Sequence, residues 1–452
     1  MKSFKTISPP LLFKGFFSQK FHRDIVGDGL LIALGQIAQA MAMLVGVRLL
    51  SELVEPKIYG EVTLFMGAVI LGRQVFGFPF LQAALRFYPE AVSHHFVSFL
   101  RRVIQSYLFR VIGSYTLLYL ITGYGYVLAA NHDISYYLFI LSAGLLCCEV
   151  AFALETDLFN AARMQTHFIY LQISNAWLRP LFAVLAVLIF GANSVSIISG
   201  YLTATGLVLI CLYTFPVNRI GVGNTKEVFD SVPKFKQDIC LYALPLMPLA
   251  IFGWVSTFSD RYLIGAFLDA EQVGIYAVAY SLMSLPFTMV QAVVERTIRP
   301  VYFEAVSAGD EKKAGQYFRF WVNSVFYICA AGVLMVYFFH NDIAKLCLSE
   351  KYHASARLMP WIALGNLFLA MSLVFEKTCF AYKKTAYVLV IRGAGALFSL
   401  MTAIPFLLYY GLIGAAISVP FYFGMQLIIS AMVYKSVKKK EVFFKPSVAE
   451  RE

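Results

Sequence analysis

The stretch "LYALPLMPLAIFGWVSTFSDRYLIGAF", Leu241 to Phe267, decides the fold class of this chain. Its only charged residues are the adjacent Asp260 and Arg261. An apolar run of this length is long enough to cross the roughly 30 Å of bilayer hydrocarbon as a helix. Charges are costly there, so the pair marks either a functional site or the edge of the membrane.

The composition of the whole chain agrees with a membrane environment. Of its 452 residues, 60% are hydrophobic and only 14% are charged, and the mean hydropathy is +0.71. A soluble chain needs a polar surface and is usually closer to half apolar. We therefore predict an all-α polytopic membrane protein with about twelve transmembrane helices. The expected spans are 25–50, 61–83, 103–122, 135–158, 169–190, 196–215, 240–265, 273–298, 320–339, 357–382, 386–408 and 412–434.

Lys and Arg are distributed unevenly between the connections of these helices. One set of alternate connections, which includes both termini, holds 26 of them, whereas the other set holds only Lys57, Lys345 and Lys351. Basic residues favour the cytoplasmic side, so both termini are expected to be cytoplasmic. The net charge of +11 is thus an orientation signal, and we expect no nucleic-acid partner.

The apolar runs and basic connections divide the chain into five predicted segments. They are a cytoplasmic basic and aromatic N-terminal segment, a first six-helix bundle, a cytoplasmic linker, a second six-helix bundle and a cytoplasmic basic tail. In that order they cover residues 1–24, 25–215, 216–238, 239–434 and 435–452. The seven cysteines and seven histidines lack the spacing of a metal site, so no metal or other cofactor is expected.

An internal repeat relates the two predicted bundles. The hexapeptide "YPEAVS" at Tyr88–Ser93 reappears as "YFEAVS" at Tyr302–Ser307, and the same offset relates Gly60 to Gly274. The offset covers six predicted helices, an even number, so both halves cross the membrane in the same direction. Parallel repeats of this kind place a substrate site between the halves.

Two blocks of sequence resemble a known family. "GVRLLSELVEPKIYGEVTLF" (46–65) followed by "LRFYPEA" (85–91) resembles the amino-terminal signature of polysaccharide transporters. "YALPLMPLAIFGWVSTFSDRYLIGAFLDAEQVGIYAVAYSL" (242–282) resembles the start of their second half. This is the family of O-antigen and related flippases, in the multidrug/oligosaccharidyl-lipid/polysaccharide exporter superfamily, and the resemblance covers most of residues 25–435.

The resemblance implies two six-helix bundles that form a V around a central cavity. It also implies a non-enzymatic flippase, which moves polyprenyl-diphosphate-linked oligosaccharide from the inner to the outer leaflet by alternating access. The implied location is the bacterial plasma (inner) membrane. The implied partners are the lipid-linked oligosaccharide, membrane lipids, and the polysaccharide polymerase and glycosyltransferases of the same pathway.

Arginine dominates the bases inside the predicted spans. Eight arginines and no lysine lie within or at the ends of the spans. A guanidinium group keeps its charge when buried and can donate two parallel hydrogen bonds to phosphate oxygens. It therefore suits a diphosphate head group. For any one of them, an ion pair with a carboxylate on a neighbouring helix is the alternative role. The candidate substrate-binding residues are Arg48, Arg73, Arg110, Arg179, Arg261 and Arg392.

The repeat favours one pair of these arginines. Arg48 lies twelve residues before Gly60, and Arg261 lies thirteen before Gly274. We therefore expect Arg48 and Arg261 to face each other across the cavity as a diphosphate clamp.

Three acidic residues are candidate coupling or orienting carboxylates: Asp260, Glu149 and Glu376. Adjacent helical residues do not face one another, so Asp260 and Arg261 are not expected to pair. Asp260 is expected to orient an arginine, with a protonation or cation site as the alternative. Glu376 and Lys377 are expected to form an interfacial pair.

Other function classes remain open at this point. An ion-coupled multidrug or small-molecule exporter of the same superfamily is the nearest, although it would favour acidic residues in its cavity. A glycosyltransferase or polymerase usually needs a large outer loop or an acidic motif, and no DxD sequence occurs. A scaffold for a biosynthetic complex is a further class, which explains the resemblance poorly.

Overall fold

Long helices form nearly all of the computed structural model, as the apolar runs predict. The structure describes residues 19–94, 96–130, 135–214 and 232–444. Most of the predicted N-terminal segment and linker, and residues 445–452 of the basic tail, lie outside these described residues. The helices are α1 Gln19–Leu53, α2 Pro56–Leu71, a π-helical turn Gly72–Gly77, α3 Phe78–Ser93, α4 Val97–Ala130, α5 Tyr136–Ala161, α6 Gln165–Phe190, α7 Ser194–Thr214, α8 Val232–Ala243, α9 Leu246–Phe267, α10 Ala270–Ser307, α11 Glu311–Cys347, a 3-10 segment Glu350–Leu358, α12 Met359–Ala381 and α13 Ala386–Phe444.

The number of membrane crossings agrees with the prediction. Within the described residues, 11 helical segments are long and apolar enough to span a bilayer. The last of them, Ala386–Lys438, is interrupted at Gly411, where φ is 60° and ψ is −143°. Glycine tolerates this left-handed backbone, which side chains rarely adopt. This segment therefore contains the last two of the twelve predicted spans.

The two largest hydrophobic cores divide the helices into two bundles. One core is built almost entirely from residues 50–198, and the other from residues 264–423. We call the parts before and after residue 215 the first and second halves. We also name the two sides of the membrane: the basic side carries the connections after α3, α5, α10 and α12, and the opposite side carries those after α1, α4, α6, α9 and α11.

The two halves meet closely at the opposite side, where α2 packs against α10. A Cβ atom on Gly60 would lie 1.7 Å from the carbonyl oxygen of Ala270, and one on Gly274 would lie 1.9 Å from that of Pro56. The contact is reciprocal, because Pro56 and Ala270 are separated by the same offset as the two glycines. The absence of a side chain at both positions lets the backbones touch.

The end of α1 extends this seal by binding the segment that follows α11. The Ser349 hydroxyl donates to the carbonyl of Ser51 at 2.6 Å, and the Ser349 backbone N–H donates to the Ser51 hydroxyl at 3.2 Å. Both residues are buried. The Tyr352 hydroxyl donates to the carbonyl of Val54 at 3.3 Å. These bonds also join the two halves, close to the point where α2 crosses α10.

Candidate functional site

A central cavity of about 720 Å³ lies between the two halves. Its walls come from α1, the π-helical turn, α3, α5 and α6 of the first half, and from α9, α12 and α13 of the second. The lining residues lie from the middle of these helices toward the basic side, so the cavity is on the other side of the α2–α10 seal.

Charged side chains from both halves line this cavity. Among the described residues they comprise three arginines and two carboxylates, so their formal charges sum to one positive charge. They are Arg73, Arg179, Arg392, Glu149 and Asp157. All of them except Asp157 are among the candidate site residues of the sequence analysis.

Glu149 on α5 connects two of the arginines. Its Oε1 atom lies 2.7 Å from Nη2 of Arg179, and its Oε2 atom lies 3.5 Å from Nε of Arg73. The Glu149 side chain is only 7% exposed, whereas that of Arg73 is 45% exposed. Glu149 therefore orients both arginines, and Arg73 remains open to the cavity.

The π-helical turn places Arg73 in the cavity wall. It interrupts a continuous helical path from α2 to α3, where Gly72 packs against Tyr115 and Leu146 and Gly77 lies near Val150. A π-helical turn adds a residue to the local helix and often occurs at functional sites. This irregularity gives no recognisable signal in the amino-acid pattern.

Arg392 is held by a carboxylate of its own half. Its Nε and Nη2 atoms each lie 3.0 Å from one oxygen of Glu376, which is 1% exposed. This two-point contact fixes the guanidinium plane. The expected pairing of Glu376 with Lys377 is wrong, because Lys377 instead lies 2.8 Å from Glu295. Glu376 is thus an orienting carboxylate in this structure.

Uncharged amides form most of the remaining polar wall, and sequence reasoning missed them. Glutamine and asparagine within apolar spans were the available signal, because an amide in hydrocarbon needs a polar partner. Those that line the central cavity are Gln39, Gln74, Gln82, Gln172, Asn175 and Gln426. Such groups can donate to and accept from sugar hydroxyls.

Arg261 lines a second, smaller cavity of about 360 Å³. The expectation that it does not pair with Asp260 is wrong, because its Nη1 atom lies 2.7 Å from Oδ1 of Asp260. The arginine side chain is long enough to fold back along its helix, and Nη1 also donates to the carbonyl of Thr257 at 2.6 Å. The Tyr276 hydroxyl donates to the other Asp260 oxygen. Asp260 therefore anchors Arg261 inside the second half.

Arg48 does not face Arg261 across a cavity, which corrects the predicted clamp. It lies near the end of α1, where it pairs with Glu52 and donates to the carbonyl of Leu348. Arg48 thus belongs to the opposite-side seal. Arg110 is also misplaced by the prediction: it is exposed on α4 and lines neither of the two cavities. Depth along a helix can be estimated from sequence, whereas the direction of the side chain depends on packing.

Several solved structures share this fold. The lipid II flippase MurJ in an inward closed conformation superposes with a TM-score of 0.68 at 14% identity, covering 91% of this chain and 87% of that chain. A mutant of the Vibrio cholerae MATE transporter VcmN gives 0.66 at 13% identity, covering 94% and 98%. An inward-facing multidrug resistance MATE family transporter of the MOP superfamily gives 0.63 at 13% identity, covering 89% and 96%. All three are transporters or flippases.

Family models match the sequence itself, although no curated protein is significantly similar to the chain. The MatE model matches residues 245–404 in the second half. The polysaccharide biosynthesis protein model matches residues 25–306, which is more than half of the chain. The protein therefore belongs to the polysaccharide biosynthesis protein family, as the resemblance of its two sequence blocks predicts.

Proposed function

We propose that the protein is a flippase for polyprenyl-diphosphate-linked oligosaccharide, such as the repeat unit of O-antigen or of another surface polysaccharide. One observation carries the proposal: arginine dominates the charged lining of a cavity between two repeat-related halves. The three arginines come from three different helical segments, namely the π-helical turn, α6 and α13. A multivalent anion can therefore be contacted from several directions.

The arginines of the central cavity suit a diphosphate in different ways. Arg73 has the most exposed side chain of the three and lies farthest from its carboxylate partner. It should therefore leave Glu149 for a ligand more easily than the other two arginines leave their partners. Arg179 and Arg392 are already oriented by carboxylates, which lowers the entropy lost on binding. The amides of the wall can bind the sugars next to the diphosphate.

The two-bundle architecture suits alternating access. The halves are joined at the opposite side by the Gly60–Gly274 contact, while the cavity extends toward the basic side. Translocation would open that contact and close the basic side. We propose that the basic side is cytoplasmic, that the membrane is the bacterial inner membrane, and that glycosyltransferases and a polymerase act before and after the flippase.

Cells that lack the protein test this function. They should accumulate the lipid-linked unit on the cytoplasmic face of the inner membrane. Full accessibility of that intermediate from the periplasmic face in such cells would contradict the proposal.

An ion-coupled exporter of small molecules is the second candidate. Two observations favour it: the MatE model matches residues 245–404, and the carboxylate of Asp157 lines the central cavity. A cavity carboxylate could bind a proton or a cationic substrate. Drug-stimulated proton or sodium flux in proteoliposomes would support this candidate over the flippase.

A further inference from the structure

The second cavity adjoins the central cavity on the side that faces the opposite side of the membrane. It lies between α1, α2, α6 and α7 of the first half and α9 and α10 of the second. Gln39, Ala176 and Arg179 line both cavities. Tyr59, next to the sealing Gly60, lines only the second. A ligand that leaves the central cavity for the opposite side would thus enter this space before it reaches the seal.

The charged lining of the second cavity is entirely basic within the described part of the chain. It consists of Arg179 from the first half and Arg261 from the second. Their carboxylate partners, Glu149 and Asp260, do not line this space. The wall therefore contains two guanidinium groups, one from each half, whereas the carboxylates that pair with them lie outside the cavity lining.

Each of these arginines is stacked on an aromatic ring of the same cavity. The Arg179 guanidinium lies 5.0 Å from the ring centre of Tyr201, and that of Arg261 lies 4.5 Å from Phe258. Stacking fixes the plane of a guanidinium while its N–H groups remain available to oxygen acceptors. The side-chain hydrogen bonds of Arg261 to described residues come from Nη1 alone, although a guanidinium has five N–H donors.

We infer that the second cavity is a second anion-binding station, which receives the diphosphate group after it leaves the central cavity. This inference rests on the proposed function and adds residue roles to it. Arg73 and Arg392 would bind the diphosphate first, in the central cavity. Arg179 would contact it in both cavities, and Arg261 would hold it in the second cavity, before the contact between α2 and α10. Because Arg179 is shared, the anion meets the next arginine before it leaves the previous one. An anion without such a partner would be costly in this low-dielectric region.

Protection of introduced cysteines by inorganic pyrophosphate tests the inference. Ala250→Cys reports on the central cavity and Ser281→Cys on the second, and none of the seven native cysteines lines either cavity. A thiol reagent is applied with pyrophosphate or with chloride at equal ionic strength, and labelling at each site is read by mass spectrometry. At saturating concentration, one pyrophosphate divides its time between the two cavities, so equal occupancy should slow labelling at each site about twofold.

Arginine variants should remove this protection in a defined pattern. Arg392→Gln should remove it only at Ala250→Cys, Arg261→Gln only at Ser281→Cys, and Arg179→Gln at both. Because Arg261→Gln leaves Asp260 buried without its partner, the double variant Asp260→Asn with Arg261→Gln is the folding control and should give the same pattern.

The outcomes separate this inference from the proposed function. Protection at Ala250→Cys alone, an unreactive Ser281→Cys, or protection at Ser281→Cys that survives the double variant would overturn the second station and leave the central site intact. Absence of protection at both sites would overturn the diphosphate function itself.

Discussion

Gly60 and Gly274, one in each half of the chain, lie in reciprocal backbone contact at the crossing of α2 and α10. A Cβ atom on Gly60 would be 2.9 Å from the backbone nitrogen of Gly274, and one on Gly274 would be 3.1 Å from that of Gly60. The residues that the repeat relates in sequence thus meet at the place where the halves are joined. This contact joins the halves between the second cavity and the opposite side.

Enlarging either glycine should separate the two helices. Gly60→Ala puts a methyl group into the space of the Ala270 carbonyl, and overpacking of this kind typically costs about 1–3 kcal/mol. We expect a lower melting temperature in detergent and faster labelling of Thr63→Cys from the opposite side, because Thr63 lines the second cavity.

Gly206→Ala is the matched control for this prediction. Gly206 lies in helix α7, and a Cβ atom there would meet no described residue within 4 Å beyond its own turn of helix. Alanine should therefore stabilise the helix by about 0.5–1 kcal/mol. Equal melting temperatures for Gly60→Ala and Gly206→Ala would show that the helices do not need the close approach.

The Asp260–Arg261 pair should behave as one energetic unit. Both residues are only 4% exposed. Removing one partner of a buried ion pair leaves an uncompensated charge and costs about 3–5 kcal/mol. We expect Asp260→Ala and Arg261→Ala each to be strongly destabilising, and the double variant to lose much less than their sum in thermal unfolding. Additive losses would contradict the pairing.

In the wild-type protein, the negative charge of Glu149 should weaken anion binding, because it neutralises arginines of the central cavity. Glu149→Gln removes one negative charge beside Arg73 and Arg179, while its amide oxygen can still accept a hydrogen bond that orients an arginine. We expect pyrophosphate to bind about tenfold more tightly, which corresponds to ~1.4 kcal/mol, as measured by calorimetry.

Glu155→Gln provides the comparison for that measurement. Glu155 lies on the same helix and pairs with Arg101, but it does not line the central cavity. Its variant should leave pyrophosphate affinity unchanged. Tighter binding in both variants would indicate a general charge effect rather than a local one.

Asp157 distinguishes the two candidate functions. As a cavity carboxylate it opposes an anionic ligand, so Asp157→Asn should retain or increase flipping of a diphosphate lipid. An exporter of cations would instead lose transport in this variant, because the acid would be its cation site. Measuring both activities in the same proteoliposomes decides between them.

The fold could be predicted almost completely from the sequence, because the bilayer imposes apolar runs of defined length. The helix ends were less predictable: α10 covers Ala270–Ser307 rather than 273–298. The Asp269 side chain accepts from the backbone N–H of Gln272 at 2.8 Å, so this helix begins before its apolar run. Polar caps extend a helix beyond the hydrocarbon.

The site could be predicted only in part. Arg73, Arg179, Arg392 and Glu149 line the central cavity, since deep charges need a polar space, and their part in substrate binding stays a prediction. The prediction misplaces Arg48 because the repeat offset gives depth and not direction. It also separates Arg261 from Asp260, whereas the flexible arginine side chain folds back along α9. These differences depend on rotamers and packing, which sequence spacing does not specify.

The most direct measurement is flipping of a polyprenyl-diphosphate-linked oligosaccharide by the purified protein in proteoliposomes. Arg73→Gln, Arg179→Gln and Arg392→Gln are compared with Arg110→Gln, which changes an exposed arginine outside both cavities. We expect the wild type and Arg110→Gln to move the lipid to the other leaflet, and the three cavity variants to lose most of this activity. Undiminished flipping in all three cavity variants would contradict this expectation.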